Sequence, residues 1–300
     1  MQWKKLGCVY SPVGDQPWMK THAAVPTACR LEGNLYRVFF GARDAANRSH
    51  IGYVDFDISR PASVLQLSRT PILRPGDLGT FDDSGVQPSW ICEAAGEMRL
   101  YYIGWNLGVT VPFRNALGLA IGNPDTLARA YVGPVLDRDI RDPFFVASAC
   151  VLWDETRWRM WYTSCIRWAI VNDQPKHWYH IRHAESSDGI DWRERGYVCI
   201  DFKDDAEYAI TRPCVIRDRS GYRMWYSYRG NRYRIGYAES PDGFRWERLD
   251  QIAGIGASHE GWDSEMVEYA YVFDHEGERY MLYNGNGYGR TGFGIAVLES

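Results

Sequence analysis

Four carboxylates recur at one place in this chain. Asp82, Asp142, Glu207 and Asp263 each stand six residues before Pro88, Ser148, Pro213 and Tyr269, which we align as equivalent positions; Lys20 stands six before the fifth, Pro26. Carboxyl groups at one height have the parts for acid–base work on a glycosidic bond. One is kept protonated to assist the leaving oxygen, and another is ionised as base or nucleophile. Glu207 is the expected acid, because Tyr208 and Ala209 beside it would desolvate its charge, with Asp142 or Asp263 left ionised in more polar surroundings. Asp82 and Glu265 complete the candidate catalytic set. Around it lie Asp15, Trp18, His22, Asp83, Gln87, Arg141, Arg212 and Glu268 as candidate substrate contacts, Trp18 as a platform for a sugar ring. The same residues have a plainer reading as turn caps and ion pairs: Asp142 precedes Pro143, and Arg212 could hold Glu207 or Glu268.

A second set is cationic. Arg43, Arg114, Arg167, Arg229 and Arg290 fall in loops of variable length, and guanidinium groups bind phosphate or another anionic group bidentately. Arg43 and Arg290 are the candidates for that role. His177, His180 and His183 are spaced by three, which in a strand sends neighbours to opposite faces, so no shared metal is expected. With no Gly-rich phosphate loop, Cys pair or nucleophile elbow, no cofactor is expected either.

What must position these residues is a repeat. Residues 212–246 read as β-branched and aromatic runs joined by turn formers, an antiparallel meander. Its second run aligns Phe40, Tyr102, Tyr162, Tyr226 and Tyr283, and its third run repeats as Ile51–Val54, Leu117–Ala120, Ile181–Ala184, Ile235–Ala238 and Phe293–Ala296. Five four-stranded copies predict an all-β, five-bladed β-propeller, since stacked blades bury faces that one small sheet leaves open. The fifth copy stops after its third strand. Trp3–Val9 matches Trp192–Val198, the outer strand of the third copy, so the N-terminal strand is expected to complete the last blade and close the ring. A closed ring has no internal boundary, and residues 1–300 are expected to form one domain.

The remaining composition excludes more than it selects. A formal net charge of −4 without a basic run argues against nucleic acid. No apolar segment follows Lys4 and Lys5, so neither a signal peptide nor a membrane span is expected. Seven scattered cysteines read as reduced thiols and a cytoplasmic protein.

Ala238-Glu-Ser-Pro-Asp-Gly-Phe-Arg-Trp246, Ala184-Glu-Ser-Ser-Asp-Gly-Ile-Asp-Trp192 and Arg141-Asp-Pro143, on a five-copy frame, resemble the five-bladed glycoside hydrolases of families 43 and 32 and the related family 130 phosphorylases. The resemblance implies a funnel with carboxylates from separate blades, among them an Asp from the first blade and a Glu as acid. Two departures stand out. The first copy has Lys20 at the aligned position, with Asp15 its nearest carboxylate, and Arg141-Asp-Pro143 enters the third copy where the invertase-like enzymes carry it in the second. Three functions follow for a carbohydrate partner: hydrolysis of a small oligosaccharide or glycoside, phosphorolysis with phosphate held by the loop arginines, or binding without chemistry.

Overall fold

The computed structural model describes residues 1–299, and nearly all of its regular structure is strand. A first strand, β1 (Trp3–Tyr10), precedes four meanders: β2 (Thr21–Glu32), β3 (Leu35–Arg43), β4 (Ser49–Asp57) and β5 (Val64–Leu67); β6 (Gly85–Ala94), β7 (Glu97–Leu107), β8 (Phe113–Gly122) and β9 (Ala128–Arg129); β10 (Val146–Trp153), β11 (Trp158–Val171), β12 (Gln174–Ser186) and β13 (Glu194–Ile200); β14 (Ala209–Asp218), β15 (Gly221–Arg229), β16 (Tyr233–Ser240) and β17 (Glu247–Arg248). The fifth has only β18 (Glu268–His275), β19 (Glu278–Asn284) and β20 (Phe293–Leu298) in sequence, and β1 pairs antiparallel with β20 as its fourth strand. First strands touch in a cycle, β2 to β6 to β10 to β14 to β18 and back to β2.

The repeated third-strand glycine has a steric cause. A Cβ at Gly118 would fall 2.2 Å from the Tyr102 ring, and one at Gly236 would fall 2.6 Å from the ring of Tyr226. In these two copies the glycine seats the aligned aromatic of the second strand, while Gly52 and Gly294 lie against Trp18 and Trp262. The Ser-x-Asp-Gly segments are latches between meanders: Tyr101 Oη donates to the Gly189 carbonyl at 2.7 Å, and Trp161 Nε1 to that of Gly243 at 2.8 Å.

Every first strand carries a bulge beside that aromatic, where the register skips between Ala24 and Thr27, Pro88 and Trp90, Ala147 and Ala149, Thr211 and Cys214, and Glu268 and Tyr271. Val25, Ser148, Arg212 and Tyr269 take left-handed φ there, between 40° and 57°. A non-glycine residue, and a β-branched one above all, holds that conformation only when its surroundings over-determine it, a pattern that clusters at functional sites. The bulges bend the strands and re-aim these side chains toward the centre.

β1 is tied down along its length: Trp3 meets Trp225 edge-on with centroids 6.0 Å apart, Lys5 pairs with Asp263 at 2.6 Å, and Tyr10 packs on Phe40. Deleting residues 1–9 bares the edge of β20 and is expected to cause aggregation and early melting. Light scattering during a thermal ramp tests this; an unchanged melt would show that β1 adds nothing.

Candidate functional site

The aligned carboxylates lie within their own meanders, not around one cavity. Asp82 accepts from Tyr102 Oη at 3.1 Å and pairs with Arg129 at 2.7 Å. Asp142 accepts from Tyr162 Oη at 3.0 Å and Ser164 Oγ at 2.6 Å, with Arg182 and Arg195 beside it. Asp263 accepts from Tyr283 Oη at 3.0 Å and from Lys5. Glu207 takes both prongs of Arg248, which also holds Asp250, the partner of Tyr226. The cations are in register. Arg129, Arg195, Arg248 and Lys5 each oppose the same third-strand position, Ala120, Ala184, Ala238 and Ala296.

In the first meander that layer is apolar, with Phe40 for the tyrosine and Leu67 opposite Val54 for the cation, while Lys20 turns outward to the Gly14 carbonyl. Where the tyrosine and the cation are lost, so is the carboxylate. All four carboxylates are buried. The expected placement around a common funnel is therefore corrected: the segment entering each first strand crosses its own sheet, and six residues before the bulge it still lies over the second and fourth strands.

At the centre is Arg212. Its side chain is fully buried and crosses from β14 to bind the Pro26 carbonyl at 3.1 Å, Thr27 Oγ1 at 2.9 Å and the Ser89 carbonyl, over the ring of Tyr271. Burial lowers its pKa to about 10, so it stays charged at neutral pH, spanning three meanders without a carboxylate partner. It is a strut between bulges, not the expected substrate contact, and it holds neither Glu207 nor Glu268.

On one side of Arg212 opens a cavity of about 460 Å³. Val25, Ser148, Thr211 and Tyr269, at or beside the bulges, line its inner end together with Gln87. Arg43 and Arg229 enter from the first and fourth meanders, and His177, Tyr179, Tyr233 and Tyr288 stand around them. No carboxylate lines it among the described residues. The Nε groups of Arg43 and Arg229 are buried without a protein partner. The Arg43 guanidinium is pushed down by burial and by Arg290, while four tyrosines sustain Arg229 against the same penalty. Burial, then Arg43 and Arg290, take His22 to about 4; burial and Arg229 do the same to His177. Both imidazoles are neutral at pH 7, so the positive charge rests on guanidinium groups with unused donors.

Glu268 lies beside this wall, between Val267 and the lining residue Tyr269. Both carboxyl oxygens are buried and unpartnered. Burial raises its pKa well above the ordinary range, against a weaker pull from Arg229; the Tyr288 amide faces it without closing a hydrogen bond. Burial thus favours its protonated form.

Of the other expected contacts, Arg43 and Gln87 line the cavity, and His22 and Arg290 lie close enough to Arg43 to act on one another electrostatically. The rest have structural partners. Trp18 is buried on Gly52, where a Cβ would be 2.2 Å from its ring, and its Nε1 donates to Gln16 and the Arg69 carbonyl, so it is no sugar platform. Asp83 caps a loop through Gly79, Ser84 and Asn106. Arg141 is exposed on Asp139 and the Arg193 carbonyl, and Glu265 is exposed near Arg232. Asp15 is exposed in the loop before β2.

Arg229 and the tyrosines were absent from the expected contact set, though a signal existed. Three residues beyond the aligned aromatic stand Arg43, Trp105 and Arg229 in the first, second and fourth copies, and all three line the cavity.

Two uncharacterized proteins of Mycobacterium tuberculosis, MT1551 of strain CDC 1551 / Oshkosh and Rv1502 of strain H37Rv, are each 45% identical over 301 residues, covering all of both chains. The chain belongs to their family. No protein-family model matches it. Among solved structures, a complex of BT0996 with RGII superposes with a TM-score of 0.78 at 18% identity, over 99% of this chain and 92% of that one. One reported with glycoside hydrolases of the family 130 mannoside phosphorylases that target β-1,2 mannosidic linkages gives 0.74 at 17% identity, over 99% and 93%. A thermostable family-43 glycoside hydrolase gives 0.67 at 16%, over 96% and 91%. The family therefore has the all-β fold of the glycoside-hydrolase propellers.

Proposed function

We propose that the chain is a five-bladed propeller, its ring completed by β1, that cleaves a glycoside in the axial cavity with phosphate as nucleophile. The observation behind this reading is the cavity's charge: two guanidinium groups with unused donors and, among the described residues, no lining carboxylate. Hydrolysis by paired carboxyls needs two of them facing the bond. Phosphorolysis needs one acid, because the anion that the arginines hold is itself the nucleophile.

A phosphate oxygen attacks the anomeric carbon as the glycosidic bond breaks, and Glu268, buried behind the wall and biased by burial toward its protonated form, gives its proton to the leaving oxygen through a wall hydroxyl or a water between them. The proton on hydrogen phosphate passes back to Glu268. The products are a sugar 1-phosphate and an alcohol. The test is glycoside turnover with and without inorganic phosphate. Strict dependence, with kcat/KM for phosphate falling roughly 10²–10³-fold in Arg229→Ala, is the expected result, on the scale of losing one charge-stabilising donor. Turnover that ignores phosphate would refute it. The missing lining carboxylate also favours a second reading, a propeller that binds an anionic sugar without turning it over; saturable binding with no product in either condition would select that reading.

A further inference from the structure

The cavity is polarised. Arg43 and Asn47 of the first meander, Arg229 and Tyr233 of the fourth, and Tyr269 and Tyr288 of the fifth make a cationic and phenolic wall. On the opposite side, among polar lining residues such as Asn115, Thr163 and His177, the second and third meanders place an apolar wall of Ile103, Trp105, Leu107, Pro112, Phe113 and Phe145. This apolar wall does not stop at the mouth. Leu107, which lines the cavity, is itself 73% exposed, and the loop it opens carries Val109 fully exposed at its tip. That loop folds back on itself through Gly108 N–H to the Pro112 carbonyl at 3.2 Å, and a Cβ at Gly108 would fall 2.3 Å from the Val111 carbonyl. Nothing in it turns Val109 inward.

The neighbouring hairpin does the same. β11 and β12 pair as far as Val171 and Gln174, and the turn at Asn172 and Asp173, with φ of 50° and 58°, leaves Ile170 68% exposed and Val171 partly so. The two projections share a base, where the Phe113 ring lies 5.6 Å from Trp168 and 5.4 Å from His177. A continuous apolar track thus runs from inside the cavity, past Phe113 and Leu107, onto an aliphatic rim, facing a wall that takes an anion.

From this juxtaposition we infer that the substrate is amphiphilic: its leaving group is a hydrocarbon chain that leaves the cavity along Leu107, Val109 and Ile170. The inference rests on the proposed anion site, and its test separates the two. Methyl phosphate and n-octyl phosphate, the latter below its micelle concentration, are titrated into the intact protein by calorimetry. Burial of a methylene is worth about fourfold in affinity, so three buried methylenes give n-octyl phosphate an advantage of roughly 50-fold. In the double variant Val109→Asp, Ile170→Asp, whose changes lie on exposed tips, that advantage should fall below about fivefold, with an unchanged melting temperature. Equal affinity for the two phosphates, or an advantage that survives the double variant, would overturn the inference while leaving the anion site standing. Binding of neither phosphate would overturn both. A dimer on a sizing column that the double variant dissolves, with the octyl advantage intact, would give the rim to a second copy of the protein and overturn it as well.

Discussion

Replacing Asp142 by alanine is expected to cost the fold about 3–5 kcal/mol, the range for removing one partner of a buried ion pair. The carboxylate has no exposure and collects Tyr162, Ser164, Arg182 and Arg195, so its loss strips two hydroxyls of their acceptor and leaves two guanidinium groups only their lesser partners, Asp139 for Arg195 and the Arg141 carbonyl for Arg182. Such a cost comes mostly from the partners left behind. The first meander indicates how to remove it: Phe40 and Leu67 occupy the tyrosine and cation places, and the layer packs without charge. Accordingly, Asp82→Ala in the second meander should be costly alone and partly rescued by adding Tyr102→Phe and Arg129→Leu. Urea denaturation of the single and triple variants measures both. If Asp142→Ala kept its midpoint and lost turnover instead, the carboxylate would be catalytic, as its sequence position suggested.

Glu268→Gln is expected to lower turnover of glycosides with poor leaving groups by roughly 10²–10⁴-fold, the usual reach of acid assistance, and to spare activated aryl glycosides. The same substitution changes how stability depends on pH. The folded pKa of Glu268 is raised above its unfolded value, so the stability it contributes is complete below the unfolded carboxyl range. It is lost as pH climbs toward the folded pKa. Glutamine does not titrate, and the variant should lose less stability than the parent over that climb. Equal pH profiles would mean that the carboxyl is already ionised in the fold. A flattened profile with unchanged turnover would leave Glu268 a burial cost without a role in the reaction.

The meanders were legible in the sequence because their period fixes them: five aligned aromatics, a third-strand glycine in four of the five copies that lies against an aromatic ring, and turn segments between. The pairing of β1 with β20 was legible from a match of seven residues. The carboxylates were legible as a repeat but not as to purpose. An offset of six residues gives a height along the propeller axis and says nothing of radius, and Asp82, Asp142, Glu207 and Asp263 lie outward, over their own second and fourth strands. Of the cations that complete the layer, Arg129 and Arg248 sit in two-residue strands too short to be matched by eye, and the match of Trp3–Val9 to Trp192–Val198 sets Lys5 against Glu194 and not Arg195. Arg212 was misread for a related reason: a side chain that crosses the centre has partners in other repeats, at Pro26, Thr27 and Ser89, and a pattern internal to one repeat does not contain them.

The pairing of Trp3 with Leu298 also bears on how the protein is made. Synthesis delivers β1 first and β20 last, so the strand that finishes the fifth sheet waits through the assembly of the other four. Closing so long a loop costs little more entropy than closing a shorter one, since the cost grows only with the logarithm of length. Time is the larger burden. Until β20 leaves the ribosome, Trp3 and Val9 have no sheet to cover them, and a nascent polypeptide carrying an unpaired apolar strand is a natural client for a holding chaperone.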